Sequence, residues 1–231
     1  TPSSSSAASD VYKRQVMDNL TSTGKNLHLQ PELFTIAILP GSRLPEAGRN
    51  LCLLLKLVRE VAKVMGVNVC QFRAATVPIL MFELEAIAVS EGWQYQGNKL
   101  TFLTQEYAIE VICYEDAFAD ILQHSNLVIG MAGTAIEQAV GLGKPVITIP
   151  GEGPSFTYGF AEAQTRLLGS SVQVIGKKIA NNFTLQKAAL KVKEILADQD
   201  YLQGCMNNGL ERMGKPGASE KIANYLVKYL S

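Results

Sequence analysis

The sequence predicts an α/β chain, in which a parallel sheet carries helices on both faces and further helices follow at the C-terminal end. Three observations lead there. From residue 34 onward, short apolar runs of strand length alternate with stretches of helical period, the pattern of buried parallel strands joined by crossover helices. Glycine-bearing turns follow two of those runs, at 40–43 and 130–134. Residues 127–150, LVIGMAGTAIEQAVGLGKPVITIP, read in succession as strand, small-residue turn, short helix and second strand.

The elements follow in order. Residues 34–39 form a buried strand and Pro40-Gly41-Ser42-Arg43 a turn. Residues 45–65 form a helix with Leu54, Leu57, Val58, Val61, Val64 and Met65 along one 3.6-residue face, ended by Gly66. A strand is expected at 69–75, a helix at 78–92, one or two short strands in 93–103, and a strand at 109–113. Glu115-Asp116 opens a helix to about 123, and 127–130 is a strand. After the 130–134 turn, a helix ends at Gly141 and Gly143, ahead of Lys144-Pro145 and a second apolar strand. The loop Gly151-Glu152-Gly153-Pro154 leads to a helix at 158–168 and a last strand at 172–175. Helices at 184–197, 201–213 and 219–230 complete the chain.

Composition narrows the function. The chain has 231 residues, 47% of them hydrophobic, enough for a sizeable core, and its formal net charge is zero. That balance argues against nucleic-acid binding, which needs a basic excess. Cys52, Cys70, Cys113 and Cys205 are scattered without CxxC spacing, as in a reducing compartment, and read mainly as buried small hydrophobes. There is no 18-residue apolar stretch and no apolar leader, so the expected location is cytoplasmic. Residues 1–15, TPSSSSAASDVYKRQ, are low in complexity. The expected division is a disordered or artefactual segment at 1–30 and one domain at 31–231.

Four places can carry chemistry. At Gly41-Ser42-Arg43, with Glu46 beyond, backbone N–H groups, a hydroxyl and a guanidinium can meet a diphosphate; the alternative is an ordinary turn with a solvated arginine. At Gly130, Met131, Ala132, Gly133 and Thr134 small residues allow close approach at a helix N-terminus, and Glu137 can accept from a ribose diol. The alternative there is close helix–sheet packing, with Glu137 complementing the helix dipole. The segment from Gly151 to Phe156, with Glu162 and Gln164, lies on the same rim and can hold sugar hydroxyls or be a solvated loop. Tyr114-Glu115-Asp116-Ala117-Phe118 can frame a flat base, or Phe118 can belong to the core. No P-loop or GxSxG elbow is present, Gly141-Leu142-Gly143 ends a helix rather than opening one, and His28 and His124 lack metal-ligand spacing.

LPGSR with its following glutamate, and GMAGTAIEQAVGLGKPVITIPGEGP, together resemble the C-terminal half of GT-B glycosyltransferases. The resemblance is greatest to lipid-A-disaccharide synthase and the synthase-related proteins of cyanobacteria, and the helix FAEAQTRLLG fits the related group. It spans residue 34 to the C-terminus and implies a Rossmann-like, donor-binding domain of a lipid A biosynthesis-type transferase. By it, Gly41, Ser42 and Arg43 face the diphosphate of a UDP-sugar. Gly130 to Thr134 line the phosphate-facing helix start, Glu137 binds ribose, Glu115 and Phe118 contact uracil, and Gln164 touches the sugar. It also implies inverting hexosyl transfer, of a GlcNAc type, to a lipid-linked acceptor, with no metal or other cofactor and with peripheral association at the inner membrane. The general base and acceptor site belong to an N-terminal domain for which the residues before 34 are too few, so the chain alone is expected to be inactive. Two other readings stand: a UDP-GlcNAc 2-epimerase-like enzyme, and a non-catalytic binding module derived from the same fold.

Overall fold

The computed structural model describes residues 15–18, 20–66, 68–131 and 133–214, with 217, 219, 223 and 227. The expected helix at 219–230 lies largely outside the described residues. From Phe34 the chain alternates as its apolar periods dictate. Strand β1 (Phe34–Leu39) leads to helix α1 (Glu46–Met65) and strand β2 (Cys70–Ala75). Two short helices, α2 (Pro78–Met81) and α3 (Leu84–Glu91), precede β3 (Gln94–Gln96), β4 (Lys99–Leu103) and β5 (Ala108–Tyr114). Then come α4 (Phe118–His124), β6 (Leu127–Gly130), α5 (Thr134–Gly141), β7 (Val146–Thr148), α6 (Tyr158–Leu168), β8 (Val172–Val174), α7 (Asn182–Ala197) and α8 (Gln199–Met213).

The eight strands form one sheet in the order β3-β4-β5-β2-β1-β6-β7-β8. The six strands from β5 to β8 are parallel to one another, whereas β3 and β4 add an antiparallel hairpin at one edge. The expectation of a parallel sheet holds except at that hairpin. Its two-residue turn, Gly97 and Asn98, joins strands paired Gln96 to Lys99, the connection that antiparallel strands allow. The parallel order β5-β2-β1-β6-β7-β8 winds outward in both directions from β1. Successive crossovers therefore reverse between β1 and β6.

Each face of the sheet has its own core. On one face α1, α3 and α7 pack with Leu54, Leu57, Val58, Val61, Ile87, Leu185 and Val192 buried. On the other, Ile121, Leu122, Ile136, Val140 and Met213 bring in α4, α5 and α8. Within α1, Val64 and Met65 are half-buried at the helix end, and the Gly66 N–H closes it on the Ala62 carbonyl at 2.9 Å.

Three expectations are corrected. The helix expected at 78–92 breaks at Phe82, where the Glu83 N–H turns back to the Leu80 carbonyl at 3.0 Å. The helix expected from Glu115 starts at Phe118. Glu115 and Asp116 stay in the loop, where Asp116 meets Lys25 Nζ at 2.7 Å. Finally, residues 20–30 are fastened to the domain as a strap. Leu20 and Leu27 are buried in the second core, and Arg73 donates through Nε to the Leu27 carbonyl at 2.7 Å and through Nη2 to that of His28 at 2.6 Å. The strap's polar sequence conceals this, because the main-chain carbonyls that Arg73 meets leave no mark in it. Residues 1–14 lie outside the described residues.

Candidate functional site

The reversal of strand order fixes where the rim opens. At the ends of β1 and β6, Leu39 pairs with Gly130, and the Met131 N–H donates to the Leu39 carbonyl at 3.1 Å. The chain then leaves β1 for α1 on one face and β6 for α5 on the other. A crevice opens between such diverging turns, and in doubly wound sheets it is where ligands bind. The two motifs singled out in the sequence, 90 residues apart, are therefore neighbours.

In the first turn Gly41 has φ 107°, while Ser42 and Arg43 are exposed. The Arg43 carbonyl accepts from Ala47 N at 2.8 Å, which starts α1. The Arg43 guanidinium has no hydrogen-bond or ion-pair partner among the described residues. Below the turn lies Asn50, 1% exposed, whose Nδ2 donates to the Pro40 carbonyl at 2.8 Å. Sequence reasoning missed Asn50. Its signal was a polar residue four positions before Leu54, on the apolar stripe of α1.

In the second turn Met131 is buried and Gly133 and Thr134 are exposed; Ala132 lies outside the described residues. Gly133 caps α5 with φ 100°, a conformation that side-chain-bearing residues rarely adopt. Its carbonyl accepts from Ile136 N at 3.0 Å and from Gln164 Nε2 at 3.1 Å. Gln164 is 7% exposed, and its Oε1 is buried without a partner among the described residues. The residue read as a sugar contact thus braces the glycine turn from α6. Glu137 sits half-buried on the first turn of α5.

The third segment joins these two. A Cβ on Gly151 would lie 2.3 Å from Met131 Cε and 3.2 Å from Asn50 Oδ1, so this loop packs closely over both turns, and a side chain here would have to displace the end of Met131. Arg49 stands 3.6 Å from both Glu46 and Glu152. These groups are solvated, so the pairing fastens the loop weakly. The fourth segment is set apart. β2 separates β5 from β1, which puts the Glu115 loop about 10 Å along the rim from the first turn. Glu115 is exposed there, and Phe118 packs partly into the second core.

Other reactive groups lie elsewhere. Burial pushes the Cys70 and Cys113 thiols up to about 12, so they act as apolar filling. Lys144 caps the end of α4 by donating to the carbonyls of Gln123 at 2.9 Å and Ser125 at 2.8 Å. His124 closes the same helix, with Nδ1 2.8 Å from the Asp120 carbonyl. A hollow of about 460 Å³ lined by Glu85, Val89, Trp93, Tyr95 and Thr101 lies at the hairpin edge, away from the rim turns.

This architecture is that of the Rossmann-like domain of GT-B proteins. The chain is similar to the spinosyn rhamnosyltransferase SpnG complexed with thymidine diphosphate, at 14% identity and a TM-score of 0.57, covering 85% of this chain and 46% of that one. It is similar to the S. aureus MnaA–UDP co-structure at 16% identity and a TM-score of 0.54, over 94% of this chain and 52% of that one. A UDP-N-acetylglucosamine 2-epimerase matches at 15% identity and 0.53, over 93% and 49%. The chain spans about half the length of these structures. No protein-family model matches the sequence, and none of the curated proteins does.

Proposed function

We propose that the rim between β1 and β6 binds the nucleoside diphosphate of a UDP-sugar, and that the chain is the donor-binding half of a glycosyltransferase. The observation that carries this reading is the juxtaposition of two glycine turns at the reversal of strand order, with an unpaired Arg43 beside them. Arg43 and Ser42 meet the phosphates from one side, and the N–H groups at the start of α5 meet them from the other. Glu137 accepts from the ribose hydroxyls, and Glu115 and Phe118 lie toward the base. Gln164 acts through the turn it braces.

In transfer, an acceptor hydroxyl attacks the anomeric carbon and the sugar–phosphate bond breaks with inversion. The hydroxyl proton passes to a carboxylate, and the electron pair of the broken bond stays on the diphosphate. That developing charge is what a helix N-terminus and a guanidinium stabilise, and the reading assigns no step to a metal. The resemblance to lipid-A-disaccharide synthase supports a GlcNAc-type hexosyl donor and a lipid-linked acceptor held by a second domain, with the enzyme peripheral to the membrane. The epimerase alternative shares this donor rim but needs acids and histidines around the sugar. His124 lies at the far end of α4 from the rim, which weighs against it.

Calorimetric titration with UDP and UDP-GlcNAc tests the reading. Saturable binding, weakened about tenfold or more in Arg43→Ala and Glu137→Ala (about 1.4 kcal/mol or more), is the expected result. No binding of UDP to the folded chain would overturn it. Release of UDP-ManNAc from UDP-GlcNAc would replace transfer by epimerisation.

A further inference from the structure

A second surface carries an assignment of its own. Helix α7 buries Leu185, Ala188, Ala189, Val192, Ile195 and Leu196 against the first core. Its opposite stripe is not polar throughout, as a solvated helix face ordinarily is. Phe183 and Leu190, 63% and 58% exposed, lie there on either side of Lys187, and Ile179, 58% exposed, continues the stripe into the preceding loop. Around them stand Lys177, Lys178, Lys187 and Lys191, whereas Lys193 turns back to the Val64 carbonyl at 3.5 Å, and no acid occurs from residue 177 until Glu194, which lies on the same stripe. In a chain of zero net charge this is a local concentration of one sign.

Three of these lysines are available. Lys177, Lys178 and Lys187 form no ion pair among the described residues. Lys187 lies over the Phe183 ring at 4.5 Å and Lys177 over that of Tyr158 at 5.9 Å. Lys191 pairs with Glu194 at 2.7 Å, where the acids resume.

We infer that this flank, formed by Ile179, Phe183 and Leu190 among the lysines of 177–191, docks onto an anionic lipid bilayer. Charge complementarity selects the partner, because ammonium groups gain from a negative headgroup layer while the apolar side chains enter the headgroup–acyl boundary. A nucleic acid would use the lysines but gives the aliphatic Ile179 and Leu190 nothing to contact. A second copy meeting this face across a two-fold axis would set lysines against lysines. The docking also has a consequence for geometry. The Ala180 N–H is bonded to the Pro150 carbonyl at 2.9 Å, so the upper end of the surface adjoins the rim, which would then open beside the bilayer. The inference stands on this surface and not on the donor-site reading.

Flotation of the chain with phosphatidylcholine vesicles, with and without phosphatidylglycerol, tests it without any acceptor or nucleotide. Binding is expected only to the anionic vesicles and to weaken as salt rises. Lys177→Gln with Lys187→Gln lowers the partition coefficient roughly 25-fold, about fivefold per lysine. Phe183→Ser with Leu190→Ser releases the protein although every lysine remains. Both pairs are exposed, and circular dichroism melts matching the parent show that they fold. No binding to anionic vesicles overturns the proposal. So does binding that the apolar pair leaves unchanged, since that is adsorption by charge alone. Association with an oligonucleotide in preference to vesicles, or self-association abolished by the apolar pair, assigns the face to another partner and also overturns it.

Discussion

Gln164 and Asn50 perform similar tasks with opposite thermodynamic consequences. Each is a buried amide whose side-chain N–H₂ donates to a carbonyl of a glycine turn, Gly133 for Gln164 and Pro40 for Asn50. The Gly133 carbonyl has a second donor in Ile136 N, and Gln164 itself keeps a buried, unpartnered Oε1. Gln164→Leu therefore removes one hydrogen bond and one unsatisfied oxygen together, and stability is expected to change by less than about 1 kcal/mol. Its effect should appear in binding. A bracing role predicts a loss of roughly 3- to 10-fold for UDP and the same loss for UDP-GlcNAc, whereas direct sugar contact predicts a loss for UDP-GlcNAc alone; calorimetry with both ligands separates them. Asn50→Ala instead strips the Pro40 carbonyl of its buried donor and should lower stability by about 1–3 kcal/mol, read by urea unfolding. Neither role was visible in the sequence, because the partner is a main-chain carbonyl whose position depends on the fold. Gly41 and Gly133 were visible, since glycine at the end of an apolar run announces a turn by itself.

At the scale of elements, a single carboxylate holds residues 22–24 of the strap. Asp120, buried on the first turn of α4, accepts from Ser22 Oγ at 2.5 Å, Thr23 N at 3.1 Å, Thr23 Oγ1 at 2.9 Å and Gly24 N at 2.9 Å. Burial alone would raise its pKa, but the donors of Ser22, Thr23 and Gly24 outweigh it and hold the carboxyl well below the usual carboxylate range. The unfolded chain thus binds the proton more readily than the folded one, so stability from this group rises with pH. It is complete above the unfolded value of about 4 and is lost progressively as the pH falls below that. Limited proteolysis should leave the strap intact at neutral pH and cut it in acid, and Asp120→Asn should be cut already at neutral pH; equal resistance of parent and variant would show that the apolar anchors Leu20 and Leu27 suffice. Strand β1, helix α1 and helix α6 were legible because each carries an unbroken period between clear stops. The strap was not, since two buried leucines in eleven residues make no period. Nor was the break at Phe82, where the apolar pattern runs on but the backbone tightens.

Over the whole molecule, the rim is held from the opposite end of α5. That helix carries Glu137 and begins at Gly133, yet it has only eight residues, too few to hold its direction without tertiary contacts. Helix α8, more than fifty residues further along the chain, supplies them. A Cβ placed on Gly209 would stand 2.2 Å from the Val140 carbonyl and 3.1 Å from Gly143 N, and one on Gly143 would stand 2.9 Å from the Met206 backbone. The two helices therefore meet backbone to backbone, and no flexible side chain can move aside to admit a methyl group. The contact acts in two directions: α8 completes the second core through Met213, and it fixes the axis along which the N–H groups of α5 point at the crevice. Gly209→Ala must push the helices apart. Overpacking of this kind lowers stability by about 1–3 kcal/mol, which in a chain of this size shifts Tm downward by roughly 2–12 °C. Because the displaced helix is the one that begins at the rim, UDP affinity should fall in the same variant at temperatures where it is still fully folded. Gly204→Ala on the same helix meets nothing within 4 Å, so it should leave both quantities within error or raise Tm slightly through helix propensity. If Gly209→Ala lowered Tm but left UDP binding intact, α8 would support the core without setting the direction of α5, and the orientation of the site would rest on Gln164 and the turns alone.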